Sequence, residues 1–431
     1  MRYLKLIGTT LILTLLLSSC SFTSFDTNTL LTAPLMNPGD QEIQKCISDT
    51  IGSSFELVYP KSGSYQMPII AADITGNGEN ESVCFYTTGT DKLVSFIILE
   101  KQNGKWKAIG IKKSQATGVE KVSFCDLNSD GTKEVVIGWQ YLAGEENGIE
   151  VFSIGVDTEM KTEYTGLYND FLSFKDSLVV ISRNTTGATA SATLLGKNNN
   201  RIEILNTVSL NPSIVSFLKI QSSSVKNNNG DNAELIFIDE QLESHTYITE
   251  LLILSKGSPN KLDVINLSTQ TSRIRSYTCI DVNDDGVMDI PIEKLLSPYT
   301  RNGTEERLSY VDWHSYSGGE LKYIKSAYTS VNEPFYIELP QSWLEKITIE
   351  RNPDSERIIH FYKLNGEQKL PMFSFRIFSQ QEYSDSKQSE GWQSIGSANE
   401  NVYAYRFDGY EFADEFLTTA DQISKGLKIL S

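Results

Sequence analysis

The sequence predicts a mainly β fold, and three observations lead to it. Acidic turns of similar composition begin at residues 73, 126 and 281, so the first two starts lie 53 residues apart and the last two 155, close to three times that period. Segments rich in Val, Ile, Phe and Tyr flank each turn, each about five to eight residues long. Gly, Asn and Asp separate these segments. Four strands per unit, in about five units, are typical of β-propeller blades, with a stack of long solenoid repeats as the main alternative.

The first residues predict export. Arg2 and Lys5 precede an apolar run over residues 6–17, which is too short for a comfortable membrane span. The ending Leu17-Ser18-Ser19-Cys20 resembles a bacterial lipobox, and this resemblance implies that a signal peptide over 1–19 is removed and that Cys20 is lipidated. A plain signal peptide with an incidental cysteine is the alternative. We therefore expect a protein on the bacterial cell surface, anchored by lipid to the outer side of the cytoplasmic membrane.

The charge balance excludes one class of partner. The chain has 38 basic and 55 acidic residues and a net charge of −17. An acidic protein of this kind is a poor match for nucleic acid or anionic lipid head groups, so we expect no nucleic-acid partner and membrane contact only through the lipid anchor. Such a surface attracts divalent cations.

Between the signal and the repeats, the sequence predicts a tether and a short helix. Residues 20–38 are rich in Ser and Thr and show no periodicity, which is typical of a flexible tether. Within residues 39–54, Ile43 and Ile47 share one helical stripe with Cys46 and Ile51, and a helix is expected to end at Gly52.

The repeated units predict a propeller over residues 55–331. Two degenerate copies without the acidic turn occur near residues 177 and 228, in the segments 171–181 and 217–239. The intact copies carry the pattern D-x-[ND]-x-[DN]-G-x-x-[DE], fully in two turns and partly in the first, and resemble FG-GAP/VCBS repeats of integrin-α-type propellers. That resemblance implies that the acidic loop joins the first two strands of each blade. Five blades are countable, and six or seven are the alternative.

The acidic turns also predict a metal. Their ligand atoms are oxygens, which suit a hard cation such as Ca²⁺, and two or three structural sites are expected. Turns rich in Asp and Asn that need no metal are the alternative. An EF-hand is excluded because its twelfth position requires an acid, whereas these turns have Ile292, Ile137 and Cys84 there. The predicted ligands are Asp281, Asn283, Asp285, Val287 (through its carbonyl) and Asp289; Asp126, Asn128, Asp130, Thr132 (through its carbonyl) and Glu134; and Asp73, Thr75, Asn77 and Glu81.

Besides Cys20, four cysteines remain, at positions 46, 84, 125 and 279. Their even number permits two disulfides in an exported protein. No CxxC spacing occurs, and the last three lie in apolar, strand-like segments, so we interpret these cysteines as buried free thiols.

A change of composition after Val331 predicts a second domain over residues 332–431. Alternating apolar segments predict strands, and residues 410–430 have apolar positions at helical spacing, so an α+β layer is expected. The pattern resembles PsbP-like domains of exported bacterial proteins in the order of Tyr336–Pro340, Trp343, Phe361, Leu370–Phe373 and Tyr403.

The sequence favours binding over catalysis. Its three histidines, His245, His314 and His360, are scattered, and no nucleophile elbow, zinc-protease, phosphate-loop or dinucleotide motif occurs. We predict a binding or scaffold module for an extracellular protein or glycan. A carbohydrate-active hydrolase or lyase on a propeller scaffold is the alternative. Candidate contact residues, for which a core position is the alternative, are Trp139, Tyr141 and Trp313.

Overall fold

The computed structural model describes residues 38–429 except for short gaps at 90, 143–145, 156–159, 185–188, 200, 227–229, 231, 258–259, 302–303, 307, 367, 387–390 and 409–424. The predicted signal peptide, Cys20 and the tether up to residue 37 lie outside the described residues. So does most of the predicted C-terminal helix.

Five consecutive antiparallel sheets, here called blades 1 to 5, follow the N-terminal helix α1 (Pro38–Ile51). Blade 1 contains β1 (Phe55–Val58), β2 (Ile69–Ala72), β3 (Glu81–Thr88), β4 (Asp91–Gln102) and β5 (Lys105–Lys113). Blade 2 contains β6 (Gly118–Cys125), β7 (Glu134–Gln140), β8 (Gly148–Ile154) and β9 (Met160–Leu167). Blade 3 contains β10 (Asp170–Ser173), β11 (Ser177–Asn184), β12 (Thr189–Asn198) and β13 (Arg201–Ser209). Blade 4 contains β14 (Ile214–Lys226), β15 (Asn232–Leu242), β16 (Tyr247–Ser255) and β17 (Lys261–Ile265).

The last blade and the sheet after it are less regular. The four-residue helix α2 (Ser268–Thr271) precedes blade 5, and α3 (Gln380–Ser386) lies near the end of the chain. Blade 5 contains β18 (Ile290–Leu295), β21 (Ser309–Ser317), β22 (Glu320–Thr329), β23 (Phe335–Leu339) and β29 (Leu427–Ile429). A separate pair is formed by β19 (Tyr299–Arg301) and β20 (Thr304–Glu306). The C-terminal sheet contains β24 (Ile347–Asn352), β25 (Ser355–Asn365), β26 (Gln368–Ser379), β27 (Gln393–Ala398) and β28 (Asn401–Phe407).

Blades 2, 3 and 4 are up-and-down meanders in which each strand pairs with the next. Their second strands are apolar on both faces because each blade is covered by a neighbour on either side; β7 is buried over Glu134–Trp139. The two degenerate repeats form blades 3 and 4 as predicted, each with a turn between its first two strands. The predicted fold class, a mainly β propeller of about five blades, is confirmed.

The core lies between successive sheets. Burying a large apolar side chain contributes about 1.5–3 kcal/mol, so each interface stabilises the array. Phe96 contacts Phe152 across blades 1 and 2, with ring centroids 5.3 Å apart. Similar apolar clusters join blades 2 and 3, blades 3 and 4, and blades 4 and 5. The last interface joins Phe335 of blade 5 to Phe375 of the C-terminal sheet, with centroids 4.6 Å apart.

The face of blade 1 that is turned away from blade 2 is covered by α1. The carboxylate of Asp40 lies in the first turn of this helix, where it suits the helix dipole, and Gly52 follows its end at a φ of 97°. Ile43 and Ile47 are buried on blade 1. Their partners there are Cys84, Tyr86, Ile97 and Leu99.

Blade 5 departs from the sequence prediction. The segment around Cys279, which we predicted as its first strand, is irregular, and only an isolated bridge between Ile280 and Asp289 replaces that strand. The sheet is completed instead by β23, which pairs with β22, and by β29, which pairs with β23. Leu427–Ile429, predicted as the end of a helix, is therefore a strand. Blade 5 also crosses the proposed domain boundary after Val331.

Candidate metal centre

The three acidic turns, here called loops 1, 2 and 3 (residues 73–81, 126–134 and 281–289), have the same backbone conformation. Loop 1 joins β2 to β3 and loop 2 joins β6 to β7, while loop 3 lies between the two bridged residues at the start of blade 5. The fourth and sixth positions of each loop have positive φ, which Gly, Asn and Asp tolerate best. These angles are 72° and 87° at Gly76 and Gly78, 57° and 94° at Ser129 and Gly131, and 60° and 84° at Asp284 and Gly286.

The first acid of each loop binds the backbone of its own turn. In loop 3, Oδ1 of Asp281 accepts a hydrogen bond from the N–H of Asp285 at 3.1 Å, and Oδ2 accepts one from Gly286 at 2.8 Å. Asp126 accepts the corresponding bonds from Asp130 and Gly131, both at 3.1 Å. Asp73 likewise accepts bonds from Gly76 at 2.9 Å and from Gly78 at 3.2 Å. Loops 2 and 3 thus share one capping scheme, with donors at their fifth and sixth positions, whereas the donors in loop 1 are at the fourth and sixth.

The ninth position of each loop is a fully buried acid. Glu81, Glu134 and Asp289 are all 0% exposed. One oxygen of each accepts a hydrogen bond from the N–H of the second loop residue, at 2.7, 2.7 and 3.1 Å respectively. The other oxygen of Asp289, Oδ1, is buried and has no partner among the described residues. A buried carboxylate oxygen without a donor is costly, so it indicates a missing partner.

Burial and the neighbouring acids disfavour the charged form at this position. Burial, opposed by the bond from Leu127 and aided by Asp130 and Asp126, raises the pKa of Glu134 to about 7. Burial likewise raises the pKa of Asp289 to about 6, with Asp285 and Asp281 adding to the shift.

The loops do not present a preformed cage of acids. Among the described residues, no group of three or more His, Cys, Asp or Glu side chains is arranged to hold a metal ion. In loops 2 and 3 the acid at the fifth position accepts a hydrogen bond from its own loop. Asp285 accepts the N–H of Val287 and Asp130 accepts that of Thr132, both at 2.8 Å. Side chains at the third position also bond within the loop: Thr75 to Glu81, Asn128 to Glu134 and Asn283 to Asp285. Asn77 accepts the N–H of Glu79 at 2.7 Å. The geometry is that of Asx-rich turns, and the metal-ligand role of these residues stays a prediction.

Loops 1 and 2 contact each other across the interface of blades 1 and 2, which the sequence did not predict. The N–H of Lys133 donates to the carbonyl of Ile74 at 2.7 Å. A Cβ at Gly76 would lie only 2.0 Å from the carbonyl oxygen of Gly131. Gly76 is therefore required both by its φ and by this close approach. The repeat period could have suggested that neighbouring loops meet, but not which atoms touch.

Loop 3 is fixed to its surroundings in a different way. Asp284 pairs with Lys428 of β29 at 2.9 Å, and the N–H of Met288 donates to Ser223 of blade 4 at 2.9 Å. The hydroxyl of Tyr336 donates to the carbonyl of Val282 at 3.3 Å. Each loop thus connects its blade to a neighbouring element.

A buried polar group outside the loops joins blade 4 to the segment that follows it. Asp239 and Arg273 form an ion pair at 2.8 Å with both side chains 0% exposed. Asp239 also accepts bonds from the hydroxyl of Thr249 at 2.6 Å and from the N–H of Cys279 at 2.7 Å, so it ties β15 to the segment that leads into blade 5. On the other face of β15, Glu240 is fully buried and its oxygens have no donor among the described residues. Sequence reasoning missed this group because neither acid belongs to a motif.

A histidine in the C-terminal sheet has polar partners, but not those of a serine hydrolase. His360 Nδ1 lies 2.7 Å from the hydroxyl of Ser374, which also contacts Asp408. The serine is thus the central member and is fully buried, whereas a nucleophilic serine needs a histidine between it and the acid. Burial lowers the pKa of His360. His245 and His314 contact backbone carbonyls of Glu243 and Asp312.

The aromatic candidates are mostly core residues. Trp139 is 0% exposed and donates from Nε1 to Glu150 at 2.8 Å, and Trp313 is 2% exposed. Tyr141 is half-buried against the core of blades 1 and 2.

The four cysteines of the described chain are free. Cys84, Cys125 and Cys279 are buried and Cys46 is half-buried. Burial raises the pKa of Cys84 to about 12 and raises that of Cys125 as well, so both are inert thiols. The interpretation as buried free thiols is confirmed for Cys84, Cys125 and Cys279, whereas Cys46 is free but only half-buried.

Within the described residues, no helix has the length and apolar character needed to cross a membrane.

The chain matches no protein-family model and no curated protein sequence. It is similar to a crystal structure of a protein from Lactobacillus plantarum, at 9% identity and a TM-score of 0.29, over 72% of this chain and 92% of that one. It is also similar to the β-propeller domain of the trilobed protease from Pyrococcus furiosus, described as having an open velcro topology, at 10% identity and a TM-score of 0.28, over 75% of this chain and 89% of that one. At such identities the similarity concerns the fold alone.

Proposed function

We propose that this protein is a cell-surface lipoprotein whose blades form a calcium-stabilised binding or scaffold module for an extracellular protein or glycan. Cys20 would carry the lipid, and the tether would hold the blades outside the cytoplasmic membrane. The resemblance of the loops to FG-GAP/VCBS repeats, and of the C-terminal region to PsbP-like domains, belongs to this proposal.

The observation that carries the metal part is the orphaned Oδ1 of Asp289. It is buried at the ninth position of loop 3, which has acids at its first, fifth and ninth positions, Asp281, Asp285 and Asp289. The set of oxygens fits Ca²⁺, and Asn283 and the carbonyl of Val287 would complete it. A cation there would supply the partner that Oδ1 lacks. Binding would require Asp281 and Asp285 to give up some bonds to their own turn.

The binding part is supported by the architecture. Propellers present their connecting loops on a rigid array, and such loops commonly carry recognition residues. Three of these loops have one conformation here, which is expected of a device that keeps the array rigid.

Calcium titration with thermal unfolding tests the metal part on the chain from residue 21 to 431. We expect calcium to raise the unfolding midpoint by several degrees and EGTA to reverse the rise, because a ligand that binds only the folded state stabilises it. Asp285→Asn should remove most of the rise assigned to loop 3. Asp284→Asn is the matched control, since Asp284 is the adjacent, exposed acid and is not a predicted ligand.

A calcium effect that is absent, or that is equal in Asp285→Asn and Asp284→Asn, would contradict the metal assignment. The binding part is tested separately, by pull-down of isolated bacterial cell-wall glycans and surface proteins. Failure of both classes to bind would count against a surface-binding module.

A further inference from the structure

One cavity of the described structure has the opposite electrostatic character to the rest of the chain. It measures about 380 Å³ and lies where blade 5 meets the C-terminal sheet. Its charged lining residues are Arg275 and Arg351, and no Asp or Glu lines it. The protein has a net charge of −17, so a pocket lined by two guanidinium groups and no acid differs in charge from the rest of the chain. Such a pocket suits an anionic ligand.

The two arginines have different surroundings. One amino group of Arg275 contacts both the buried acid Glu293 and the hydroxyl of Ser309, the latter at 2.6 Å. Arg351 lines the cavity together with Tyr328, whose pKa is raised by burial and lowered by this arginine, and no ion pair joins Arg351 to a carboxylate of the described residues. The pocket therefore keeps one positive charge that no described acid neutralises.

Tyr277 and Ser309 line the same cavity as the two arginines. Burial raises the pKa of the Tyr277 hydroxyl; Arg275 and Arg351 oppose that rise, and Glu293 adds to it. This hydroxyl is 3.3 Å from that of Ser309. The floor of the pocket is thus a fixed hydrogen-bonding surface next to two cations.

The rest of the lining is suited to a hydroxylated ligand with an apolar face. Ser276, Thr329, Ser330 and Asn332 offer hydroxyl and amide groups. Ile274 and Val331, which are 69% and 44% exposed, lie at the cavity and provide apolar surface. A second cavity of about 340 Å³ shares six lining residues with the first, so the space continues along the segment 329–332.

We propose that this cavity binds an acidic saccharide through its carboxylate. A guanidinium group recognises a carboxylate by two parallel N–H···O bonds, the hydroxyl-rich lining fits the sugar hydroxyls, and the apolar residues fit the C–H face of the ring. The volume falls within the roughly 300–1,000 Å³ of small-molecule sites and suits one uronic acid residue. The proposal rests on the proposed binding function and specifies a ligand class for it.

The test compares two probes that differ in one group, methyl β-D-glucuronide and methyl β-D-glucoside, titrated by NMR or calorimetry into the chain from residue 21 to 431 with calcium present. We expect the glucuronide to bind at least about tenfold more tightly, since one charge-assisted bidentate contact is worth on the order of 1.5–3 kcal/mol. Arg351→Gln should lower the affinity for the glucuronide about tenfold and leave that for the glucoside unchanged. Arg357→Gln, an exposed arginine of the same sheet outside the cavity, should have no effect.

A folding check accompanies these variants. If Arg351→Gln strongly lowers the unfolding midpoint, Arg351→Lys replaces it as the test variant. Lysine keeps the charge but lacks the planar fork of arginine, so this variant should bind the glucuronide several-fold more weakly than the wild type does. Equal binding of the two sugars overturns the proposal, and so does equal binding by wild type and a folded Arg351 variant.

Two further probes separate this ligand class from others. These probes are inorganic phosphate and a short peptide with a free C-terminal carboxylate. If either binds as tightly as the glucuronide and its binding depends on Arg351, the saccharide assignment is overturned. This proposal can fail while the proposed function holds. If binding to cell-wall glycans survives Arg351→Gln, the protein remains a binding module, but the cavity is not its saccharide site. A missing calcium effect would not alter the sugar titration.

Discussion

Blades 1, 2 and 5 have acidic loops, whereas blades 3 and 4 do not, yet all five form similar sheets. In blade 3 the corresponding turn spans only residues 174–176, closed by a 2.8 Å bond from Phe174 to Ser177. Its Asp176 pairs with Lys256 of blade 4 at 2.9 Å. In blade 4 the buried Asp239 binds the segment leading into blade 5. The comparison shows that each blade has a hydrogen bond or ion pair to a neighbouring element, here called a polar tie. The acidic loop is one of several ways to make such a tie.

The tie with the largest expected contribution is the buried pair in blade 4. Asp239→Ala would leave Arg273 buried without its partner, so we expect the free energy of unfolding to fall by about 3–5 kcal/mol. Urea denaturation measures this loss. Lys256→Gln, which breaks the partly exposed pair with Asp176, is the control and should cost about 0–1 kcal/mol. Comparable losses in the two variants would show that burial does not distinguish these ties.

The contact between loops 1 and 2 should have the next largest effect. In Gly76→Ala the new Cβ would meet the carbonyl of Gly131 and the residue would keep a positive φ, so we expect a loss of roughly 2–4 kcal/mol. Gly78→Ala has the same kind of φ but open space, and should cost about 1–2 kcal/mol. Denaturant midpoints of the two variants measure the difference. If Gly78→Ala is as damaging as Gly76→Ala, the contact between the loops contributes nothing beyond φ.

Blade 4 should also make stability depend on pH, in the same direction as the raised acids Glu134 and Asp289 of the loops but up to a higher pH. Burial, together with Glu250 and Asp239 and against the effect of Arg273, raises the pKa of Glu240 to about 10. The folded state therefore holds a proton that the unfolded state releases above its ordinary pKa near 4.5. Stability from this group is complete below that value and is lost progressively as the pH rises towards 10.

Unfolding measured between pH 5 and pH 10 tests this dependence in wild type and in Glu240→Gln. The glutamine cannot ionise, so the variant should lose less stability at alkaline pH than the wild type. Calcium is kept constant, because the loops also titrate. Parallel curves for the two proteins would rule out Glu240 as the source.

The sequence predicted the repeats well where composition is periodic. Strands of alternating apolar residues and the turns at Asp126 and Asp281 are local features, so the positions of most blade strands follow from the sequence. The strand predicted around Cys279 was wrong because the backbone N–H of Cys279 donates to Asp239 and its side chain packs between blades 4 and 5, a distant constraint. The helix predicted to end at Leu427–Ile429 was wrong for a similar reason, because this segment pairs as a strand with the edge of β23.

By itself the sequence determined the fold class, the position of the three acidic loops and the identity of their oxygen-bearing residues, because hydrophobic period and turn composition act over a few residues. Only the tertiary structure decided that loops 1 and 2 touch at Gly76 and Gly131, that Asp239 and Arg273 meet inside blade 4, and that Arg275 and Arg351 share a cavity without acids. These residues are far apart in the chain. Their contacts depend on how whole sheets pack, and no local pattern of residue types encodes that packing.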